Sequence, residues 1–286
     1  LREQRADLWH LTSLFESDVL VGEPPTNCRC VVTFHDALAV LYPQEYLYGG
    51  GSRLVASFYG RLQAMSRCSR VVAISHSSAR DLTQLTRVPL ERIDVIHLAP
   101  SPEMFEPPTP EAAQGSHWLR RIGQPYIFAL LGDNPTKNVE RLLAAYGQLS
   151  ADLQARYKLV LTYQIPDWHR DTVRAWQERY ALGERVIFTD WVPRDELRLL
   201  FAHASLYVHP TLYEGFGMPI IEAMAQGRPV IVSSTGPMPE VIGEAGFIVN
   251  PYDLAGLADV MRHTLTHPDI AAELGRRALA RARQFT

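Results

Sequence analysis

The chain has 286 residues, 47% of them apolar and 21% charged, a balance typical of a globular protein with one large or two medium domains. Its formal net charge of −3 offers no basic surface for a nucleic-acid partner. Three cysteines are too few for a disulfide framework, and Cys28 and Cys30 have no second pair to complete a zinc site. No apolar run reaches membrane-spanning length and no signal peptide is visible, so we expect a cytoplasmic protein.

Runs of β-branched residues followed by helical spacing recur in the first third of the chain. They predict strands at residues 31–34, 71–74 and 92–96. The segment after the second strand predicts a helix over residues 79–85, and the serines before it are suitable N-caps. Ser75 is expected to cap this helix, while Ser78 and Asp81 have the spacing of a capping box.

Five prolines interrupt this alternation between residues 100 and 116. Proline fixes φ and removes a backbone donor, so the segment is predicted to be extended. We therefore expect a partial N-terminal domain over residues 1–103, a proline-rich linker over 104–116 and a C-terminal domain over 117–286.

The alternation of strands and helices resumes after the linker. Strands are predicted at residues 126–131, 158–161, 186–188, 205–208 and 229–232. Helices are predicted at residues 138–149, 171–180, 194–203, 219–226, 254–265 and 270–283. Apolar strands that alternate with helices indicate parallel sheets covered on both faces. The predicted fold class is α/β, with two Rossmann-like domains.

A glycine-containing loop followed by a short helix is the most informative segment. Gly215 and Gly217 allow backbone amides to approach a ligand closely. Pro219 suits the first position of a helix, and Gly227 suits the left-handed position after its end. The amides of such a loop and helix N-terminus favour a diphosphate or sugar hydroxyls. Ligands of open α/β sheets bind at these carboxyl ends of strands.

Two glutamates with seven residues between them flank this loop. Glu214 lies in the loop, and Glu222 is predicted in the first turn of the helix. Both are expected to face one cleft, where their carboxylates accept hydrogen bonds from sugar or ribose hydroxyls. The ordinary alternatives are a solvated loop acid at Glu214 and, at Glu222, a helix-start acid favoured by the helix dipole. The surrounding glycines and proline favour ligand binding.

The string from Glu214 to Glu222, Glu-Gly-Phe-Gly-Met-Pro-Ile-Ile-Glu, is followed by Ala-Met-Ala-Gln-Gly-Arg-Pro-Val. It closely resembles the signature of the retaining glycosyltransferases of family 4, the group 1 glycosyltransferases. The resemblance extends over nearly the whole chain and is strongest over residues 132–250. It implies the GT-B architecture and transfer of a hexosyl unit from a nucleotide sugar to a hydroxyl acceptor in glycan, polysaccharide or glycolipid synthesis. A lipid-linked acceptor would bring the protein to the inner face of the membrane.

The resemblance also implies roles for the matching residues. Glu214 would contact the donor sugar and Glu222 would hold the ribose hydroxyls. The remaining donor-binding contacts are expected along the loop at Gly215, Phe216, Gly217 and Met218. The residues Phe34-His35-Asp36 are similar to a mannosyltransferase-like subgroup, which favours GDP-mannose as donor, with a UDP-hexose as the alternative.

A second match begins at Gly132 and resembles the strand, loop and helix that bind the donor diphosphate. Lys137 matches the family lysine, whose cation would offset the charge that builds on the leaving diphosphate. Asp133 or Thr136 stands where relatives often have an arginine, so the resemblance is weaker there. No cofactor or metal is implied, since Lys137 and helix N-termini can stabilise the leaving group. Taken alone, Lys137 is typical of a solvated surface lysine, and its sequence context favours the binding role instead.

The third match centres on His35, which follows the predicted strand 31–34. It resembles a family histidine that faces the reacting sugar, and it completes a catalytic set with Glu214 and Lys137. The structural alternative is that His35 and Asp36 only cap the turn after the strand. Residues 7–10 resemble a middle strand of the family's N-terminal domain, and the opening glycine-rich loop has no counterpart, so we expect this domain to be incomplete. A non-catalytic nucleotide-sugar-binding fragment, or a GT-B phosphorylase or epimerase, is the alternative function.

Overall fold

The structure, a computed structural model, describes residues 7–13, 29–43, 51–132 and 134–285, with side chains omitted at 51–57. These residues form two compact units. The first unit contains the described residues up to Leu98 together with the short segment Glu214–Phe216. The second unit contains Ala99–Tyr213 and the described residues from Gly217 onward.

The first unit is built on a parallel four-stranded sheet with the strand order β1-β2-β3-β4. Its strands are β1 (Leu8–Leu11), β2 (Arg29–Phe34), β3 (Arg70–Ala73) and β4 (Ile93–Val95). Its helices are α1 (Leu38–Leu41), α2 (Gly51–Ala64) and α3 (His76–Leu85). Val32 of β2 lies opposite Val71 of β3, and both are fully buried in a core that includes Leu82 of α3.

The start of α3 decides between the two predicted caps. The hydroxyl oxygen of Ser75 accepts a hydrogen bond from the amide of Ser78 at 2.9 Å, as the prediction for Ser75 required. The capping box of Ser78 and Asp81 is wrong, because α3 begins at His76 and Ser78 is already its third residue.

The second unit is built on a parallel six-stranded sheet in the order β10-β9-β8-β5-β6-β7. Its strands are β5 (Tyr126–Leu130), β6 (Lys158–Thr162), β7 (Val186–Phe188), β8 (Leu206–His209), β9 (Val230–Ser233) and β10 (Phe247–Val249). The chain places β6 on one side of β5 and later returns to place β8 on the other side. This reversal is the topological switch point of a doubly wound fold.

Helices pack on this sheet and close its core. They are α4 (Pro110–Gly115), α5 (His117–Ile122), α6 (Val139–Gly147), α7 (Ala151–Arg156), α8 (Arg170–Arg179), α9 (Arg194–His203), α10 (Met218–Ala225), α11 (Met238–Ile242), α12 (Leu254–Thr266) and α13 (Pro268–Ala282). All four residues of β8 are buried, as expected for a strand covered on both faces. Within the described ranges, every helix is too short or too polar to cross a membrane.

The proline-rich segment differs from its prediction. Instead of an extended linker over residues 104–116, the chain forms a 3₁₀ helix at Pro102–Phe105 and then α4. Each of these helices has a proline at its start, where the missing N–H costs nothing. The Thr109 hydroxyl caps α4 by accepting from the amide of Ala112 at 3.3 Å. The division between the two units falls after Leu98, upstream of this segment.

Candidate active site

The helix of the signature motif is preceded by Gly217, where a residue with a side chain would strain the backbone. Gly217 has φ +97°, and a Cβ there would lie 2.7 Å from Cδ1 of Ile220. The helix α10 starts at Met218, one residue earlier than predicted, so Pro219 is its second residue. The amide of Ile220 already donates to the Gly217 carbonyl at 2.9 Å, and Pro219 has no N–H. A ligand at this helix start would therefore meet the amides of Gly217 and Met218.

Glu222 lies in the second turn of α10, so its placement in the first turn was wrong. The reading of Glu222 as a helix-start acid loses support, because the helix dipole acts mainly on the first turn. Burial raises the pKa of Glu222 to about 7, while the nearby Arg194 acts in the opposite direction. Arg194 itself is paired with Glu103 at 3.2 Å. Glu222 is thus a half-buried acid that titrates near neutral pH.

The segment Glu214–Phe216 belongs to the first unit by its contacts. Two buried serine hydroxyls, of Ser75 and Ser78, lie 2.8 and 3.0 Å from the carbonyl oxygen of Gly215 and donate to it. A Cβ on Gly215 would lie 2.5 Å from the carbonyl oxygen of His35, so only glycine fits this close approach. The side chain of Phe216 is buried, and its ring centroid lies 5.7 Å from that of His97.

His35 follows β2 and is half-buried. Its Nε2 lies 2.8 Å from the carbonyl oxygen of Thr12. Because a carbonyl only accepts, Nε2 carries the proton in this contact, and Nδ1 of the neutral ring is left as an acceptor. The capping role belongs to Asp36, whose Oδ1 accepts from the amide of Leu38 at 2.8 Å.

Lys137 ends a 3₁₀ turn, Pro135–Lys137, that follows β5. Its Cε lies 3.8 Å from the position that a Cβ on Gly132 would take. Thr136 is 1% exposed, and its amide donates to Oδ1 of Asn134 at 2.8 Å. Its role is therefore to stabilise the turn. It cannot bind a ligand as the arginine of related proteins would. Asp133 lies outside the described residues.

A pocket of about 450 Å³ opens at the carboxyl ends of β5, β6 and β7. It is lined by Leu130, Leu131, Gly132, Thr162, Gln164, Pro166, Asp190 and Trp191. Trp191 is 76% exposed, and Asp190 has φ +54°, a backbone conformation rare outside glycine. Of these eight residues, only Gly132 was predicted from the sequence. Leu130 and Leu131 end the predicted strand 126–131, and the other five follow predicted strands, which is the signal that could have found them.

The predicted site residues fall into two groups. His35 and Gly215 meet in the first unit, where Glu214 and Phe216 flank Gly215. In the second unit, Gly132 lines the pocket and Lys137 lies close to Gly132, while Gly217, Met218 and Glu222 belong to α10 and its cap. The common cleft expected for Glu214 and Glu222 stays a prediction.

Two family models match this chain. Residues 119–281 match the model of the glycosyl transferases group 1, and residues 1–100 match that of glycosyltransferase family 4. The chain belongs to the group 1 glycosyl transferases. The family resemblance found in the signature motif is thereby confirmed.

Similar group 1 proteins include two named mannosyltransferases of Escherichia coli. The serotype-specific mannosyltransferase WbdA is 30% identical over 98% of this chain, which spans 35% of WbdA. The O-antigen chain mannosyltransferase B is 29% identical over 90% of this chain and 67% of its own length. The chain therefore spans about a third of the length of WbdA and two thirds of the second relative.

Solved structures share the fold. HepE of Anabaena in complex with UDP-glucose has a TM-score of 0.75 and 21% identity, covering 90% of this chain and 68% of HepE. WaaG, a glycosyltransferase of lipopolysaccharide biosynthesis, has a TM-score of 0.73 and 20% identity, covering 89% of this chain and 73% of WaaG. The predicted α/β fold of the GT-B type, with two Rossmann-like parallel sheets, is confirmed.

Proposed function

We propose that this chain forms the donor-binding part of a retaining hexosyltransferase that moves a mannosyl unit from GDP-mannose to a hydroxyl of a glycan or lipid-linked acceptor. The observation that carries the proposal is the position of Lys137 beside the pocket of the second unit. Gly132 lines this pocket, and Lys137 packs against Gly132. The pocket has the volume of small-molecule sites, and a neighbouring cation suits the diphosphate of a nucleotide sugar.

The preference for mannose is supported by the names of the E. coli relatives, both mannosyltransferases. A UDP-hexose is the second candidate donor, since HepE is described in complex with UDP-glucose. O-antigen chains, in the name of one relative, support a glycan acceptor. With a lipid-linked acceptor, the reaction would take place at the inner face of the membrane.

In the proposed mechanism the acceptor hydroxyl attacks the sugar on the face from which the diphosphate leaves. The leaving phosphate accepts the proton of the hydroxyl, so no protein nucleophile takes part. The ammonium of Lys137 and the amides of Gly217 and Met218 stabilise the charge that develops on the diphosphate. The proposal needs neither a cofactor nor a metal ion.

Three further residues orient the donor in this proposal. The ionised carboxylate of Glu222 accepts hydrogen bonds from the ribose hydroxyls, and Glu214 contacts the hydroxyls of the transferred sugar. His35 presents Nδ1 as an acceptor toward the same sugar. Catalysis then consists mainly of positioning and charge stabilisation.

The pocket at the carboxyl ends of β5, β6 and β7 is assigned to the nucleoside of the donor. Trp191 exposes most of its indole at the rim, and a planar base can stack on it. The carboxylate of Asp190, on the same loop, can accept from the donors on the Watson–Crick edge of guanine. Uracil offers a single N–H donor on that edge, which supports GDP over UDP.

The test combines calorimetry and turnover in the full-length protein. GDP, UDP and their sugars are titrated, and transfer from GDP-mannose, UDP-glucose and UDP-N-acetylglucosamine is measured. We expect Glu222→Ala to weaken donor binding at least tenfold, because it removes charged hydrogen bonds of about 1.5–3 kcal/mol. Glu178→Ala changes an exposed acid of α8 and serves as the matched control, with unchanged binding.

Two results would contradict the proposal. Absence of turnover with every donor, together with equal binding by Glu222→Ala and the unmodified protein, would overturn it. Donor binding that depends on Glu222 without any transfer would instead favour the non-catalytic nucleotide-sugar-binding module.

A further inference from the structure

Asn138, which directly follows Lys137, has an unusual backbone conformation. Its φ is +60°, in the left-handed region that residues other than glycine rarely adopt. This conformation turns the chain from the 3₁₀ turn Pro135–Lys137 into α6. Asparagine tolerates the left-handed region better than other residues with a side chain, but glycine tolerates it best. The backbone alone therefore does not explain why an asparagine stands here.

The side chain of Asn138 connects three segments of the second unit. It is 7% exposed, and its Nδ2 donates to the carbonyl oxygens of Pro210 at 2.9 Å and Pro251 at 3.0 Å. Its Oδ1 accepts from Nη1 of Arg141 at 2.7 Å. Arg141 only donates, and the two carbonyls only accept, so the orientation of the amide group is determined by its partners. Both N–H groups of the amide are used.

This use of the side chain differs from ordinary helix capping. Asn138 is the N-cap residue of α6, yet its side chain makes no capping hydrogen bond with the helix. A capping asparagine would accept from an amide of the first turn. Here the amide group instead faces the loops after β8 and β10, where Pro210 and Pro251 lie.

The turn that carries Lys137 is thus attached to the loop after β8 at two points. One is the hydrogen bond from Asn138 to Pro210, and the other joins the amide of Leu212 to the carbonyl of Thr136 at 2.7 Å. The loop that contains Pro210 and Leu212 leads directly into the signature motif. Arg141, which holds Oδ1 of Asn138, is itself fixed with its guanidinium 5.0 Å from the ring centre of Tyr252.

We propose that Asn138 is a positioning residue for donor binding, because its amide fixes Lys137 relative to the loop after β8 and so directs the lysine to the donor diphosphate. The inference rests on the proposed function, in which Lys137 binds that diphosphate. Glycine at this position keeps the left-handed backbone and removes the three side-chain hydrogen bonds, which makes Asn138→Gly the informative change.

The test is a double-mutant cycle in the full-length protein. The proteins compared are the unmodified chain, Asn138→Gly, Lys137→Ala and the combination of the two changes. Calorimetry measures the affinity of each for GDP, UDP and the phosphate-free nucleosides. We expect Asn138→Gly to weaken diphosphate binding about tenfold when Lys137 is present, because a displaced ammonium loses a charge-assisted hydrogen bond to the diphosphate. In the Lys137→Ala background the same change should have almost no effect.

Two further variants distinguish a positioning role of Asn138 from a general disturbance of the structure. Asn138→Asp retains an oxygen for Arg141 but loses both N–H donors, so it should also weaken binding of the diphosphates. Ala181→Gly changes another left-handed residue, with φ +51°, and should leave every affinity unchanged. Nucleoside affinity should change less than about twofold in all variants, because nucleosides carry no phosphate for Lys137.

The outcomes distinguish this inference from the proposed function. If Asn138→Gly weakens diphosphate binding by the same factor with and without Lys137, or weakens nucleoside binding equally, the inference is overturned while the donor site stands. If the unmodified protein binds neither GDP nor UDP, the proposed function fails and this inference fails with it.

Discussion

The environment of Glu222 opposes the ionisation of its carboxyl group. Burial raises its pKa from an ordinary value of 4.5 to about 7, so the folded protein binds this proton more tightly than the unfolded chain does. The resulting stabilisation is fully present below pH 4.5 and is lost as the pH rises through 7. Above neutral pH the ionised carboxylate therefore lowers the free energy of unfolding.

We expect Glu222→Gln to raise the free energy of unfolding by about 1–3 kcal/mol at pH 8, because it removes this buried charge. Most of the gain should disappear at pH 5, where the folded protein already holds the proton. Denaturant unfolding at the two pH values measures both effects. An equal gain at pH 5 and pH 8 would show that ionisation is not the cause. Under the proposed function Glu222→Gln should also bind the donor more weakly. Residues that serve binding often lower the stability of the folded protein.

Only part of the candidate site could be predicted from the amino-acid sequence. Glu214, Glu222 and Lys137 were identified because their glycine and proline surroundings form a recognisable order in the sequence. The contribution of Asn138 was not predictable, because its partners at Pro210 and Pro251 are far away along the chain. Sequence periodicity also assigned Asn138 to a helix, which its left-handed backbone excludes.

At the scale of secondary structure, the predictions were correct where one repeating pattern of apolar residues extends over a whole strand or helix. The strand β7 and the helix α9 have the predicted bounds, since apolar strands and amphipathic helices repeat with fixed periods. The pocket was largely missed, because loops after different strands form it and loops have no periodicity. The proline-rich segment was mispredicted for a local reason, since a proline starts a helix as readily as it prevents one.

The contact between α10 and α13 depends on one glycine. A Cβ on Gly275 of α13 would overlap the carbonyl oxygen of Gly227, which follows the end of α10. The obstacle is backbone, so no side-chain movement can remove it. Gly275 thus allows α13 to lie directly against the helix that carries Glu222.

We expect Gly275→Ala to lower the free energy of unfolding by about 1–3 kcal/mol, because the added methyl forces the two helices apart. Gly60→Ala in α2 is the matched control, since nothing lies within 4 Å of a Cβ at that position. Alanine there should stabilise the helix by up to about 1 kcal/mol. Chemical denaturation compares the three proteins, and a Gly275→Ala variant as stable as the unmodified chain would contradict the packing argument.

At the scale of the whole molecule, each unit has its own hydrophobic core. One core is formed around Val32, Phe34 and Leu82 in the first unit, and the other around Leu142, Tyr146 and Leu159 in the second. Separate cores allow separate unfolding transitions, so we expect two melting temperatures for the chain and not one.

We expect heating to produce two transitions that fluorescence and circular dichroism report differently. Four of the five tryptophans belong to the second unit, namely Trp118, Trp168, Trp176 and Trp191. Tryptophan fluorescence should therefore follow the second unit, while circular dichroism follows both. GDP at a hundred times its dissociation constant should stabilise the fluorescence-detected transition by about 2.7 kcal/mol. One coincident transition for both probes, or an equal GDP-induced shift of the transition that circular dichroism assigns to the first unit, would contradict this expectation.

In the six-stranded parallel sheet, mostly different residues form the hydrophobic core and the pocket. The pocket residues Gln164, Pro166, Asp190 and Trp191 occupy loops at the carboxyl ends of β6 and β7, whereas two strands of the same sheet, β8 and β9, are buried along their whole length. Substitutions in those loops disturb few core contacts, whereas substitutions in the strands disturb many. Under the proposed function, exchange of a few exposed residues could therefore change the nucleotide preference during evolution while the buried strands stay the same.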